Sequence, residues 1–237
     1  MSTSGTTTWK LNRDAVISAA LRKLSVLSGG STPETYQVTN ATEALNAMIK
    51  GFQADGMPVW AIKSYTFTTI VNQAAYLIGD GQALNTPAPL KVLQAWRNQT
   101  PTSSNVPMNV VPDYNYNIYP LVNSQGTPVN LYYQPQNQVG TINLWPKPAD
   151  AVTTITLRYQ RPFEDMTSAT DDFDFPPYWT EALIYGLADR LSGEYGIPLQ
   201  DRQLLTQQAE RFHQNALSFG QEEGSMFFQP DVTGSRW

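Results

Sequence analysis

The residues best placed to carry chemistry are five carboxylates that follow one another without an intervening base. They are Glu164, Asp165, Asp171, Asp172 and Asp174. Two such groups could serve a glycosidase if an apolar pocket raised the pKa of one of them. Residues 171–174 also resemble part of a calcium loop, but they lack the glycine and the distal glutamate of an EF-hand. We favour an electrostatic interpretation, in which acids ahead of a helix stabilise the positive end of its dipole.

Other catalytic side chains are scarce. The chain has no cysteine and one histidine, His213, so disulfides, cysteine nucleophiles and thiolate metal sites are excluded. A Ser-His-Asp triad would need His213, and no G-x-S-x-G turn is present. A zinc site would lack a second imidazole, and neither glycine-rich phosphate loop occurs. We therefore predict no catalytic, metal-binding or cofactor-binding residues, and a protein that is not an enzyme.

Charged residues are few and unevenly distributed. The chain has 15 Lys and Arg against 20 Asp and Glu, a net charge of −5, which is unsuited to gripping DNA phosphates. Between residues 98 and 146 the only acid or base is Asp113, whereas Asn, Gln, Thr, Pro and Tyr are abundant. Such uncharged polar surface is typical of contacts between subunits, whose centres are depleted in charge. An ordinary β-domain with amide-rich loops would have the same composition.

Aromatic residues in the same half of the chain could stack on sugars or on bases. They are Trp96, Tyr132, Tyr133, Trp145 and Tyr159. Because so little positive charge lies near them, single-stranded nucleic acid is a poor match. We expect these side chains to pack in a core or at an interface.

Four helical patterns flank a region with the period of β-strands. The apolar residues that share a face are Ile17, Ala20, Leu21, Leu24 and Leu27 in the first; Ala41, Ala44, Leu45, Met48, Ile49 and Phe52 in the second; Trp179, Ala182, Leu183, Gly186, Leu187 and Leu191 in the third; and Leu204, Leu205, Ala209, Phe212, Ala216 and Phe219 in the fourth. Asn40 and Glu43 predict a capping box at the start of the second helix.

After Met57 the period changes from 3.6 to 2. Strands are predicted around Tyr65 and Phe67 and at residues 74–78, 90–96, 106–111, 129–133, 139–145 and 152–159. The predicted fold class is α+β: a four-helix bundle from N- and C-terminal helical hairpins, with an inserted antiparallel β-barrel or sandwich. The predicted domains are an N-terminal hairpin (1–56), the β-domain (57–162), a C-terminal hairpin packing with the first (163–220) and an extended docking tail (221–237).

The last residues of the chain lack any period but keep large apolar side chains. These are Met226, Phe227, Phe228 and Trp237, which make residues 221–237 a candidate docking segment, with a frayed terminus as the alternative. No run reaches the roughly 18 apolar residues of a membrane span. We therefore predict no membrane contact.

Five segments carry a family resemblance. They are residues 19–26 (AALRKLSV), 43–50 (EALNAMIK), 144–148 (LWPKP), 157–161 (LRYQR) and 175–188 (FPPYWTEALIYGLA). In this order they resemble the head-to-tail adaptor family of short-tailed bacteriophages, also called tail tubular, packaged-DNA-stabilising or head-completion proteins.

The resemblance implies a virion structural protein at the head–tail junction, made in the host bacterial cytoplasm. It implies a homo-oligomeric ring of about twelve copies that links the portal protein to tail nozzle or tail fibre proteins. Such a ring closes the filled capsid and surrounds duplex DNA without sequence-specific contact. Met226, Phe227, Phe228 and Trp237 would then dock on the portal.

Two other functions stay open at this point. One is a carbohydrate-active or glycan-binding tail protein built on the β-region, which would use Glu164 or Asp171. The other is a different tail part, such as a nozzle or fibre-attachment protein.

Overall fold

The computed structural model describes residues 4–7, 9–55, 59–98, 105–119 and 123–220, which contain five α-helices and ten β-strands. The helices are α1 (Arg13–Lys23), α2 (Thr35–Asp55), α3 (Asp113–Asn117), α4 (Thr180–Ser192) and α5 (Leu199–Phe219). The strands are β1 (Ile62–Thr68), β2 (Ala75–Gly79), β3 (Leu84–Asn85), β4 (Lys91–Asn98), β5 (Val106–Val110), β6 (Gln125–Gly126), β7 (Asn130–Pro135), β8 (Val139–Trp145), β9 (Lys147–Pro148) and β10 (Thr154–Gln160). Short 3₁₀ turns at Val59–Ala61 and Pro177–Trp179 precede β1 and α4.

Helix α2 begins earlier than the sequence pattern indicates. It starts five residues before Asn40, so the predicted capping box is wrong, and both Asn40 and Glu43 are exposed on the helix surface. The helix start is satisfied by another pair: the backbone amide of Glu34 donates to Gln37 Oε1 at 2.9 Å. Gln37, in the first turn of the helix, thus reaches back to the Glu34 amide, which has no partner within the helix. The correct cap, at Glu34, therefore lies six residues upstream of the predicted one at Asn40.

Helix α4 lies at the centre of the helical part and packs against α1, α2 and α5. Its contact with α2 is close at Gly186, where a Cβ atom would lie 2.7 Å from Met48 Sδ. A larger residue at this position would have to displace the buried side chain of Met48. The largest fully buried side chains of this core are Ile17, Leu21, Leu45, Met48, Ile49 and Trp179.

The strands form an eight-stranded sheet in the order β1-β10-β4-β5-β7-β8-β2-β3, and β6 and β9 form a separate parallel pair. Alternate residues of the sheet face a second apolar core, as the pleat of a strand requires. This core includes Leu131, Ile142, Leu144, Ile155 and Leu157. Phe67 of β1 and Tyr76 of β2 meet across the remaining gap, with ring centroids 5.1 Å apart. The sheet is thus a nearly closed barrel.

The predicted fold class is correct only as α+β; the four-helix bundle with an inserted antiparallel β-barrel or sandwich is wrong. The sheet is mixed, because β2 pairs with β3 and β5 pairs with β7 in parallel. In a four-helix bundle each helix buries its apolar face against two neighbouring helices. Helix α5 instead packs along α4 and leaves Leu204 and Phe219 exposed. A fifth helix, α3, lies beside the sheet at β7. The domain limits at 1–56, 57–162, 163–220 and 221–237 stay a prediction.

Candidate interaction surface

The uncharged stretch of the sequence contributes a group of exposed and half-buried aromatic side chains on and beside α3. Tyr119 stacks on Trp145 at 4.5 Å between ring centroids, and Tyr116 packs on Tyr132 at 5.4 Å. Tyr132 and Trp145 occupy positions of β7 and β8 that alternate with the buried core residues. With the exposed side chains of α3 and its last turn, these residues form what we call the aromatic surface. It consists of Tyr114, Tyr116, Ile118, Tyr119, Tyr132 and Trp145.

Two members of the aromatic surface are largely open to solvent in the isolated chain. Tyr114 is 75% exposed and Ile118 is 61% exposed. Side chains at this exposure bury little apolar area in the isolated chain and so contribute little to its stability. Trp and Tyr are the residues most enriched at the energetic centres of protein interfaces. The arrangement therefore fits a protein contact better than it fits a core.

The single acid of this region is held within the aromatic surface. Asp113 Oδ1 accepts a hydrogen bond from Asn117 Nδ2 at 3.0 Å. Burial, together with the hydrogen bond and charge of Asp113, raises the pKa of Tyr132. Burial also raises the pKa of Tyr116. Both phenols are thus neutral at physiological pH, and Asp113 is the acid that this stretch of the sequence contributes to the surface.

The remaining aromatic residues singled out in the sequence have other locations. Tyr133 and Tyr159 are buried in the core of the barrel, which confirms the packing role predicted for them. The hydroxyl of Tyr133 donates to the Pro89 carbonyl at 2.5 Å, and burial raises its pKa to about 12. Trp96 is half-buried and lies opposite Pro107 in the β4–β5 pair.

The acidic cluster lies in the connector, residues 161–176, which joins β10 to α4. Asp174 forms a two-point ion pair with Arg161, in which Nη2 lies 2.7 Å from Oδ1 and Nη1 contacts Oδ2. Asp165 Oδ1 lies 2.6 Å from Lys50 Nζ. Asp174 therefore has a cation as its partner, and α4 begins only at Thr180 with its own first-turn acid, Glu181. These contacts replace the helix-dipole interpretation.

Asp171 closes a turn within the connector. One of its oxygens accepts hydrogen bonds from the backbone amides of Ser168 and Thr167 at 2.6 and 2.8 Å. These bonds lower the pKa of Asp171, the Ser168 bond contributing most. A glycosidase acid needs a raised pKa. The environment of Asp171 is the opposite, so Asp171 does not fit the acid role of a glycosidase.

Polar side chains of α2 hold the first part of the connector, at residues 163–166. Asn46 both accepts from the Met166 amide at 2.9 Å and donates to its carbonyl at 3.0 Å. Gln53 accepts from the Phe163 amide at 3.0 Å, and Lys50 donates to the Phe163 carbonyl at 2.8 Å. The side chains of Phe163 and Met166 enter the helical core. Glu164 and Asp165 thus lie in a segment whose backbone is bound by a neighbouring helix.

His213 is a packed residue of the helical part. Its ring stacks on Phe52 at 4.3 Å and lies 5.7 Å from the Trp179 ring. Burial lowers its pKa, and the nearby Asp55 carboxylate opposes that shift to a smaller extent. Across the described residues, no three His, Cys, Asp or Glu side chains are grouped so that they could hold a metal ion. None of the helices in this part of the chain is long and apolar enough to cross a membrane.

The predicted docking residues Met226, Phe227, Phe228 and Trp237 lie outside the described residues, and their role stays a prediction. The sequence analysis did not single out Tyr114, Tyr116, Ile118 and Tyr119. Their signal was a tyrosine-rich run at 114–119, between the β-strand candidates at 106–111 and 129–133.

The model of the SU10 adaptor protein family matches residues 12–232 of the chain. The chain belongs to this family. The match spans all five helices and the whole sheet, and it confirms the resemblance to phage head-to-tail adaptors. No curated protein matches the chain. As an SU10 adaptor, the protein is a structural component of the virion that associates with other virion proteins.

Proposed function

We propose that this SU10 adaptor forms a homo-oligomeric ring of about twelve copies between the portal protein and the short tail. The ring would close the DNA-filled capsid, surround the exit channel and carry tail nozzle or tail fibre proteins. The observation that carries the proposal is the family match over residues 12–232. Subunits would be made in the host bacterial cytoplasm and assembled at the head–tail junction.

In this proposal the aromatic surface contacts the neighbouring copy in the ring. The centres of protein interfaces are depleted in charge and rich in aromatic side chains. The aromatic surface is rich in aromatic side chains, with Tyr114 and Ile118 exposed, and its neighbouring acid, Asp113, accepts a hydrogen bond from Asn117. A ring of identical copies needs each such surface to meet a different surface of the next subunit.

The charge balance supports a channel through which DNA slides. A lining rich in Lys and Arg would hold the duplex by releasing its counterions. With 15 basic against 20 acidic residues, the adaptor has little capacity for this. We expect no sequence-specific DNA binding and no submicromolar affinity for duplex at physiological salt. A filter-binding or anisotropy titration that gave such an affinity would contradict this part of the proposal.

Residues 221–237 would dock on the portal through Met226, Phe227, Phe228 and Trp237. Burying each of these side chains contributes about 1.5–3 kcal/mol. Ordering the segment costs about 1–2 kcal/mol for each residue, so one tail alone binds weakly. In a ring, each docked tail raises the effective concentration of the next one. Free subunits would therefore stay unassembled until a portal is present.

Electron microscopy of the purified protein, alone and with purified portal rings, tests the proposal. We expect rings on the portal for the full chain and loss of rings after deletion of residues 221–237. Ile118→Ser should weaken ring formation, because it places a hydroxyl at the interface. Val152→Ser is the matched control, since Val152 is also exposed but lies in the loop before β10. Absence of rings with the full chain would refute the proposal, and equal effects of the two serine variants would exclude the aromatic surface.

A further inference from the structure

The last turn of α5 presents an aromatic pair to solvent. Phe219 is 75% exposed, and its ring packs edge-on against Tyr178 at 4.8 Å between centroids. The sequence pattern assigned Phe219 to the buried face of its helix. In the structure Ala216 and Leu217 fill that face, and Phe219 points away from the core. The fold therefore gains little from an apolar side chain at this position.

The two rings are held on rigid elements. Tyr178 belongs to the 3₁₀ turn at Pro177–Trp179, whose Trp179 is fully buried in the helical core. Phe219 ends a helix that is closed by the Gly220 amide, which donates to the carbonyls of Ala216 and Leu217. Binding through this pair would consequently cost little conformational entropy.

The pair lies where the chain leads into its predicted docking segment. Phe227 follows Phe219 by eight positions, so an extended chain can separate the two by at most about 26–29 Å. A partner that receives Phe227 therefore has its surface within this distance of the Tyr178–Phe219 pair. One partner can thus contact the tail and the pair together, and we take it as the occupant of the pair.

The charge around the pair indicates the chemistry of that partner. The last turn of α5 contains no basic residue that would compensate the partial negative charge of the helix C-terminus. Glu222 and Glu223 follow directly in the sequence. A complementary surface would combine an apolar pocket with Lys or Arg at its rim.

We infer that Tyr178 and Phe219 form a preformed anchor that inserts into an apolar, basic-rimmed pocket of the portal protein. The inference rests on the proposed function, in which residues 226–228 dock on the same partner. The folded anchor would make the first contact, and the tail would extend it.

The test measures binding of full-length subunits to immobilised portal rings at low occupancy, at low and at high salt. Phe219→Ala should weaken binding by about 10- to 100-fold, the loss expected for one buried aromatic side chain at an interface centre. Leu204→Ala is the control. Leu204 is 56% exposed on the same helix, but it lies fifteen residues before Phe219, far from the C-terminal end. It should change binding by less than about threefold. Raising the salt concentration should weaken the binding of the wild-type protein to the portal, because the charged contacts lie at the solvent-exposed rim of the pocket.

Three results would overturn the inference, and they are distinguishable. Wild-type protein that does not bind the portal would refute the proposed function together with the anchor. Wild-type binding with no loss in Phe219→Ala would refute the anchor alone. If Phe219→Ala lowers the melting temperature of the full chain, but not of a chain that lacks residues 221–237, the tail of the same subunit covers Phe219 and the anchor is wrong.

Discussion

The ion pair between Arg161 and Asp174 closes the base of the connector, and its removal should strongly destabilise the protein. The Arg161 side chain is 9% exposed and the Asp174 side chain 20% exposed. The guanidinium also lies 5.7 Å from the ring centroid of Trp60. The backbone amide of Arg161 donates to the Ala61 carbonyl at 3.0 Å, which places the pair where β10 meets the helical core.

The two partners should respond unequally to substitution. Asp174→Leu leaves a buried guanidinium without its anion, and such a charge costs about 3–5 kcal/mol in free energy of unfolding. Arg161→Met leaves a carboxylate that water reaches more easily, so the expected loss is about 1.5–3 kcal/mol. The double variant replaces both charges by apolar groups and should lie close to the wild type. The two effects are thus strongly non-additive.

Urea denaturation followed by tryptophan fluorescence measures all four free energies of unfolding in this cycle. Asp165→Ala is the control, because the Lys50–Asp165 pair is 44% and 56% exposed and should contribute less than about 1 kcal/mol. The reasoning fails if Asp174→Leu costs no more than Asp165→Ala. It also fails if the losses of the two single variants simply add in the double variant.

Three further predictions concern the two cores. Leu45→Ala or Leu183→Ala should each lower the free energy of unfolding by about 2–5 kcal/mol in urea titrations, because both side chains are buried in the helical core. Gly140→Ala should cost about 1–3 kcal/mol in the same assay, since its Cβ would lie 2.4 Å from the Tyr133 ring; an unchanged stability would mean that the ring can move aside. Because burial lowers the pKa of His213 from 6.5, its contribution to stability is complete above that pH. The free energy of unfolding should fall by up to about 1.4 kcal/mol for each pH unit between 6.5 and the lowered pKa of the folded state, and this slope should disappear in His213→Phe.

Several elements could be predicted from the sequence because their signals are local. The alternation at 139–145 coincides with β8 (Val139–Trp145), where Ile142 and Leu144 face the core. The apolar stripe that begins at Trp179 corresponds to α4, whose buried face includes Leu183 and Leu187. Both patterns arise because a pleat or a helical turn repeats at a constant spacing, so they mark the buried face wherever it lies in the fold. The family resemblance also rested on such local segments.

The direction of strand pairing was decided only by the tertiary structure. Residues 109–110 of β5 pair in parallel with residues 130–131 of β7, although the sequence predicted an antiparallel arrangement. A period of two is the same for both arrangements, and the direction depends on the path of the connection. That path includes α3, whose five residues are too few to produce a helical period.

Exposure and pairing were likewise decided by elements that are distant in sequence. Leu204 and Phe219 have the spacing of a buried stripe, yet they are exposed because no described helix covers that side of α5. Asp174 lies in a cluster of acids, yet its partner is Arg161, brought to it by the return of the connector. A local pattern determines which side of an element is apolar, whereas burial requires a second element to pack against that side. Whether such an element packs there depends on the path of the whole chain.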